Sequence, residues 1–275
     1  MTALQCENIR IGVVSFLNST PLIDGIAAVE GIELVHRVPS ELIDCLDNRE
    51  VDIALASSID YQKSKTEFEI LPVGVLSSDG ESLTVQLCSR IPFKDVQEVH
   101  CDSDSHTSIA LLQIILNNLY GIAPKIITTD IRALNRRHSD WPETVLVIGD
   151  KVVKSNCGSE YPFTLDLGQA WKKQTGLPFV FATWLVRKDF TQHQIETVSM
   201  LLLRQLAYNQ HRIEQIVSKY ADERGWKTSL ALQYVTHHMN YQFTHAHEES
   251  LEMFYELAKS CGALEEIRPL KIIRP

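Results

Sequence analysis

Residues 15–22 read SFLNSTPL and follow directly on the apolar run Ile9–Val14, IRIGVV. An apolar, β-branched run that stops abruptly at polar residues predicts a buried strand delivered into a site. Ser15, Asn18, Ser19 and Thr20 offer short side-chain oxygens and an amide, and Pro21 suits the first turn of a following helix. Such a helix would turn free backbone N–H groups toward whatever lies above the strand end, an arrangement that binds carboxylates and phosphates. An ordinary capped β–α turn explains the same residues.

The pattern recurs outward from this point. Ile32–Val38 reads as a strand, and Pro39-Ser40 opens a short helix with Leu42, Ile43 and Leu46 on one face. Val51–Ala56 runs into Ser57-Ser58-Ile59-Asp60, and Ile70–Leu76 into the turn Ser77–Gly80, after which Leu83–Ser89 has the character of a long connecting strand. A boundary is expected at Arg90-Ile91-Pro92. The grammar then restarts with strand Glu98–Cys101, the polar segment Asp102–Ser108, and a helix capped near Ser105, striped by Ile109, Leu112, Ile115, Leu116 and Leu119 and closed by Gly121. Ile126–Thr128, Thr144–Ile148 (ending at Gly149-Asp150), Phe163–Leu167 and Phe179–Val186 predict a second sheet. From Thr191 the periodicity is helical, with Ile267–Ile273 as a terminal strand. The expectation is an α/β clamshell of mixed, mainly parallel sheets with a helical C-terminal third. Domain 1 would comprise 1–89 plus 187–275 and domain 2 residues 90–186, with the ligand cleft between them.

At 275 residues and 44% hydrophobic content the chain supports a large core. A net charge of −9 argues against nucleic-acid or anionic-membrane partners, which need clustered Lys and Arg. No apolar run approaches a membrane span and the start lacks the apolar stretch of a secretory signal, so a cytoplasmic location is expected. Six cysteines (Cys6, Cys45, Cys88, Cys101, Cys157, Cys261) show no C-x-x-C spacing and read as reduced thiols. His237, His238, His245 and His247 invite a metal reading, but helical spacing does not converge all four, and a solvated helix surface is the default.

Four strand-end segments carry a resemblance: SFLNSTPL at 15–22, SSIDY at 57–61, DSHTSIALL at 104–112, and LVIGD at 146–150 with DLGQAWKKQTGLPFVFATW at 166–184. Together they resemble the chorismate dehydratases of the futalosine route to menaquinone, over nearly the whole chain, including YELAKSCGAL at 255–264. The resemblance implies a type II periplasmic-binding-protein-like fold. It also implies loss of water from chorismate to give 3-[(1-carboxyvinyl)oxy]benzoate, without metal or organic cofactor.

Chorismate is a dicarboxylate, so its site needs two anion-holding places. The helix starts after Asn18 and after Ser105 would supply one in each domain, aided by Ser15, Ser19, Thr107 and Ser108, with Ser57, Ser58, Gly149 and Asp150 as further contacts. The strand ends offer few strong acid–base groups: His106, Asp60, Asp79, Asp104, Asp150 and Asp166. The resemblance implies that the substrate's own enolpyruvyl carboxylate is the base and that Asn18 positions it. Where the family commonly carries D-G-P-V-x-S-V, this chain has DGESLTVQ at 79–86. Thr84 keeps the hydroxyl, Glu81 adds a charge in place of proline, and Gln86 adds an amide; alternation leaves open which way Glu81 points. Two other readings remain: a cytoplasmic non-catalytic binding protein for a small carboxylate, and a later enzyme of the same pathway, whose Pro-x-Asn-Asp type start is absent.

Overall fold

In the computed structural model, which describes residues 8–134 and 140–274, two five-stranded sheets share one topology. Cys6 lies outside the described residues. The strands are β1 (Ile9–Val14), β2 (Ile32–Arg37), β3 (Ile53–Ser57), β4 (Phe68–Ser78), β5 (Val85–Ser89), β6 (Glu98–Asp102), β7 (Lys125–Thr129), β8 (Thr144–Ile148), β9 (Phe163–Asp166) and β10 (Phe179–Arg187). The first sheet runs β2-β1-β3-β10-β4 and the second β7-β6-β8-β5-β9. In each, four strands run in one direction and the other, β10 or β5, pairs antiparallel to both of its neighbours.

Those two antiparallel strands move the domain boundary. Leu83–Ser89 was expected in the first domain and Phe179–Val186 in the second, yet β5 pairs with β8 and β9, and β10 with β3 and β4. Each sheet is completed by a strand the chain inserts on crossing from the other. The crossings therefore fall at about residues 79–84 and 176–178, ahead of those strands. The physical reason lies in their sequence: β10 is an apolar run buried on both faces, so it seats inside a sheet and cannot serve as an exposed hinge.

The helices are α1 (Thr20–Ile23), α2 (Leu42–Asp47), α3 (Asp60–Lys63), α4 (His106–Tyr120), α5 (Asp150–Ser155), α6 (Leu167–Thr175), α7 (Gln192–Gln210), α8 (Ile213–Tyr220), α9 (Thr228–Gln233) and α10 (His245–Ser260). Ser105 caps α4 by accepting from Ser108 N–H, and Gly121 ends it in a left-handed turn, as the sequence predicts; Leu119 faces outward. The terminal segment makes a single bridge, Ile272 to Ile70, and no full strand. A continuous apolar core joins the inner layers of both lobes, and a smaller one around Cys88, Val147 and Trp141 lies on the second sheet. The C-terminal helices span the lobes: α7 packs on α1 and β4, while α10 packs on β10 and on α4 of the second lobe. No helix among the described residues is long and apolar enough to cross a membrane.

Candidate active site between the lobes

The carboxyl ends of β1, β3 and β8 and the amino end of β5 converge on a small cavity of about 50 Å³. Asn18, Ser57, Thr84, Ser105, Ser108 and Gly149 line it, joined by an apolar wall that includes Phe16, Leu76, Ile148, Phe181 and Met239. Among the described residues lining it, none is ionisable.

Asn18 lies in a single 3-10 turn, Leu17–Ser19, and caps nothing. Its Oδ1 is buried without a protein partner. A desolvated acceptor left open costs free energy unless a ligand completes it. Thr84 Oγ1 lies 2.8 Å from the hydroxyl of Tyr234. On the second lobe, the Ser105 and Ser108 hydroxyls stand 3.0 Å apart at the start of α4, whose positive dipole end favours an anion.

Several expected ligand contacts serve the protein instead. Ser19 Oγ donates to the carbonyls of Val14 and Phe16, and Ser58 Oγ to that of Val180. Ser15 is exposed, with its carbonyl accepting from Arg224. The helix after Asn18 is only four residues long, too short to build an N-terminal anion site. The N–H of Leu17 is spent on Asp150, 3.3 Å from each carboxylate oxygen.

Asp150 is thus a latch across the lobes. It accepts from Leu17 N–H and, at 2.8 Å, from Trp226 Nε1–H, while only its neighbour Gly149 reaches the cavity. Burial pushes its carboxyl upward despite these donors. Thr107 likewise crosses the cleft, accepting from Ile59 N–H at 3.2 Å. His106 Nδ1 meets Asp60 at 2.8 Å, and Ser40 N–H donates to the Asp104 carbonyl. These contacts join the lobes in a closed arrangement.

The turn before β5 is organised by Asp166, which accepts from Ser82 N–H, Ser82 Oγ, Leu83 N–H, Gln86 Nε2 and Gln169 N–H. Gly168 fits here because a Cβ would come within 2.6 Å of Ser78 Oγ and 2.7 Å of the Gly80 carbonyl. Gln86 is therefore committed to Asp166. Glu81 is half-exposed, 3.9 Å from His238, and does not line the cavity. The four histidines of the C-terminal third make separate contacts: His237 with Thr236, His238 with Glu81, His245 with Glu249, and His247 with Ser77 and Thr244. Tyr234, Trp226 and Met239 carried no signal in the sequence, since aromatic and apolar residues at helical spacing read as core.

Two lobes of matching topology closed on a strand-end cavity define a clamshell of the solute-binding-protein class. Solved structures share the fold. A protein of Archaeoglobus fulgidus superposes with a TM-score of 0.78 at 15% identity, covering 94% of this chain and 100% of its own. The alkanesulfonate-binding protein SsuA of Xanthomonas axonopodis pv. citri gives 0.70 at 12% identity, covering 99% and 100%. The chain belongs to the menaquinone biosynthesis family, which it matches over residues 9–260. A curated relative, the chorismate dehydratase of Thermus thermophilus, is 29% identical over 194 residues, 65% of this chain and 70% of the relative.

Proposed function

We propose that the protein is a chorismate dehydratase of menaquinone biosynthesis, a hydro-lyase that converts chorismate to 3-[(1-carboxyvinyl)oxy]benzoate and water. Family membership over residues 9–260 supports the pathway, and the unpartnered Oδ1 of Asn18 in a closed strand-end cavity is the observation that carries the site. The reaction breaks the ring C–H beside the ether and the C–O bond of the neighbouring hydroxyl; the C–H electrons complete the aromatic ring. The family resemblance implies that the substrate's enolpyruvyl carboxylate takes the proton and passes it to the departing hydroxide, and the lack of an ionisable side chain among the described lining residues supports that reading. That carboxylate is regenerated, and water is the sole by-product.

The protein supplies orientation and exclusion of water. Ser105, Ser108 and the start of α4 hold one substrate carboxylate, and Thr84 and Ser57 offer hydroxyls from the facing side. Asn18 orients the reacting arm. The reading carries with it a cytoplasmic setting. Incubating chelator-treated protein with chorismate, with ultraviolet and mass detection, tests it. Appearance of the dehydrated aromatic ether supports it; binding of chorismate without turnover refutes it.

A further inference from the structure

The closed cavity holds about 50 Å³, and sites that enclose a small-molecule ligand run to about 300–1,000 Å³. A ring bearing a carboxylate, a hydroxyl and an enolpyruvyl arm therefore needs more room than these walls leave. Parting the lobes would supply it, but would undo the contacts of Asp150, Thr107 and His106 that keep water from the reacting atoms. The room has to be found with the lobes closed.

Most of the wall cannot yield. Val14, Leu76, Val85, Ile148 and Ala182 are buried on strands β1, β4, β5, β8 and β10. The Phe16 ring lies against the Gly149 backbone, where a Cβ would come within 3.1 Å of it. Met239 differs: it is 4% exposed and, alone among the described residues lining the cavity, also borders a second void, a groove of about 590 Å³ beside the chain crossings. Lys172 braces that groove, 2.5 Å from Asp79 on one crossing and donating to the Gly176 carbonyl on the other at 2.7 Å, while Pro21, Ile213 and Val235 give it an apolar lining. The Met239 backbone is pinned, since its N–H donates to the Tyr234 carbonyl at 3.1 Å and the next residue, Asn240, exchanges N–H···O bonds with Ser77 at 2.8 and 3.1 Å. Its side chain is unbranched and turns about three bonds, which leaves it as the movable part of the wall.

We propose that Met239 is a specificity-determining partition: on substrate binding its side chain swings from the cavity into the groove, and the space it leaves receives the substrate ring. The inference rests on the dehydratase reading. The swing keeps the backbone and the contacts between the lobes in place, and the substrate itself closes the opening toward the groove. The room gained is that of one side chain, so Met239 sets how large a ring the closed site accepts.

The chain has four methionines, so carbon-13 labelling of their methyl groups gives a spectrum in which Met239 is assigned by its loss in Met239→Leu. In the unliganded protein its methyl should be shielded from a soluble paramagnetic relaxation agent, unlike those of Met200 and Met253, which are 55% and 36% exposed. Saturation with the reaction product, 3-[(1-carboxyvinyl)oxy]benzoate, should raise its broadening to the level of Met253. Two isomeric replacements give a second readout: leucine and isoleucine fill the same volume, but isoleucine branches at Cβ and is stiff at χ1. Met239→Ile should have a KM for chorismate about 10- to 100-fold above that of Met239→Leu, with the two kcat values within about threefold of each other. Product binding with Met239 still shielded, or equal KM values for the two variants, overturns the proposal while leaving the dehydratase reading intact. Absence of both product binding and chorismate turnover in the wild-type protein overturns both. If Met239→Ile does not fold, the labelled wild-type protein decides alone.

Discussion

Replacing Asp150 by alanine should impair closure of the lobes more than folding of either. The carboxylate receives Trp226 Nε1–H at 2.8 Å and Leu17 N–H at 3.3 Å from each oxygen, both from outside its own lobe. A hydrogen bond to a charged acceptor contributes about 1.5–3 kcal/mol, and the long Leu17 contact adds less. Against this stands the cost of burying the charge, visible in the upward shift of the Asp150 carboxyl. The net loss is about 2 kcal/mol, borne by the closed state, because donors and acceptor separate when the lobes part. At 1.4 kcal/mol per tenfold, the closed-to-open ratio falls roughly 30-fold and the apparent KM rises by up to the same factor. Initial rates with chorismate measure KM, and small-angle scattering of the unliganded protein measures the opening. Asp150→Asn, which retains one acceptor oxygen, should fall between. A KM within about threefold of wild type for Asp150→Ala, with its fold intact, would refute the latch.

Asn18→Ala should lower kcat by about 10²–10³-fold, the usual cost of losing one oriented polar group at a reacting centre, while leaving the thermal midpoint unchanged because Asn18 caps nothing. An unshifted kcat removes it from the mechanism. Gly149→Ala should destabilise the fold by about 1–3 kcal/mol and raise KM, since Gly149 has φ +63° and a Cβ would press within 3.1 Å of the Phe16 ring at the cavity; thermal unfolding and initial rates check both. The bond to Asp60 raises the His106 pKa, whereas burial raises that of Asp60 by outweighing the pull of His106. The stabilisation of closure by His106 is fully present below the ordinary histidine value of about 6.5 and is lost as pH rises through the raised one. KM should therefore rise in the wild type as pH is taken upward through that raised value, and a His106→Ala variant that keeps the same rise would show that the pair is not its source.

The strands were legible because each carries its own signal. Ile9–Val14 and Thr144–Ile148 are short apolar runs cut off by polar residues, and burial on both faces follows from that composition. Which sheet a strand joins is a different kind of property. β5 and β10 read as strands from their residues, but their partners lie across the chain crossings, and no periodicity within a strand names its neighbour. The helix after Asn18 shows the same limit: Pro21 correctly marks a first turn, but α1 ends at Ile23, where tertiary contacts with α7 take over.

At the site, residue type told where polar groups gather but not what each one serves. Ser57 and Ser58 are chemically alike and adjacent, yet the strand pleat sends Ser57 to the cavity while Ser58 bonds the Val180 carbonyl. Ser105 and Ser108 reach the cavity while Thr107, between them, binds Ile59 N–H of the facing lobe. A closing clamshell has two polar tasks at one seam, gripping the ligand and gripping the other lobe, and both select small hydroxyl and carboxylate side chains. Only the closed geometry divides them. The same closure brings Met239 into the cavity wall and Tyr234 against Thr84, so the helical third of the chain helps to shape the candidate site. The clearest consequence is chemical: with strong acids and bases drawn off into latches such as Asp150 and the Asp60–His106 pair, the cavity is left to hydroxyls, one amide and a helix start. That inventory suits an elimination in which the substrate moves its own proton and the protein sets the geometry.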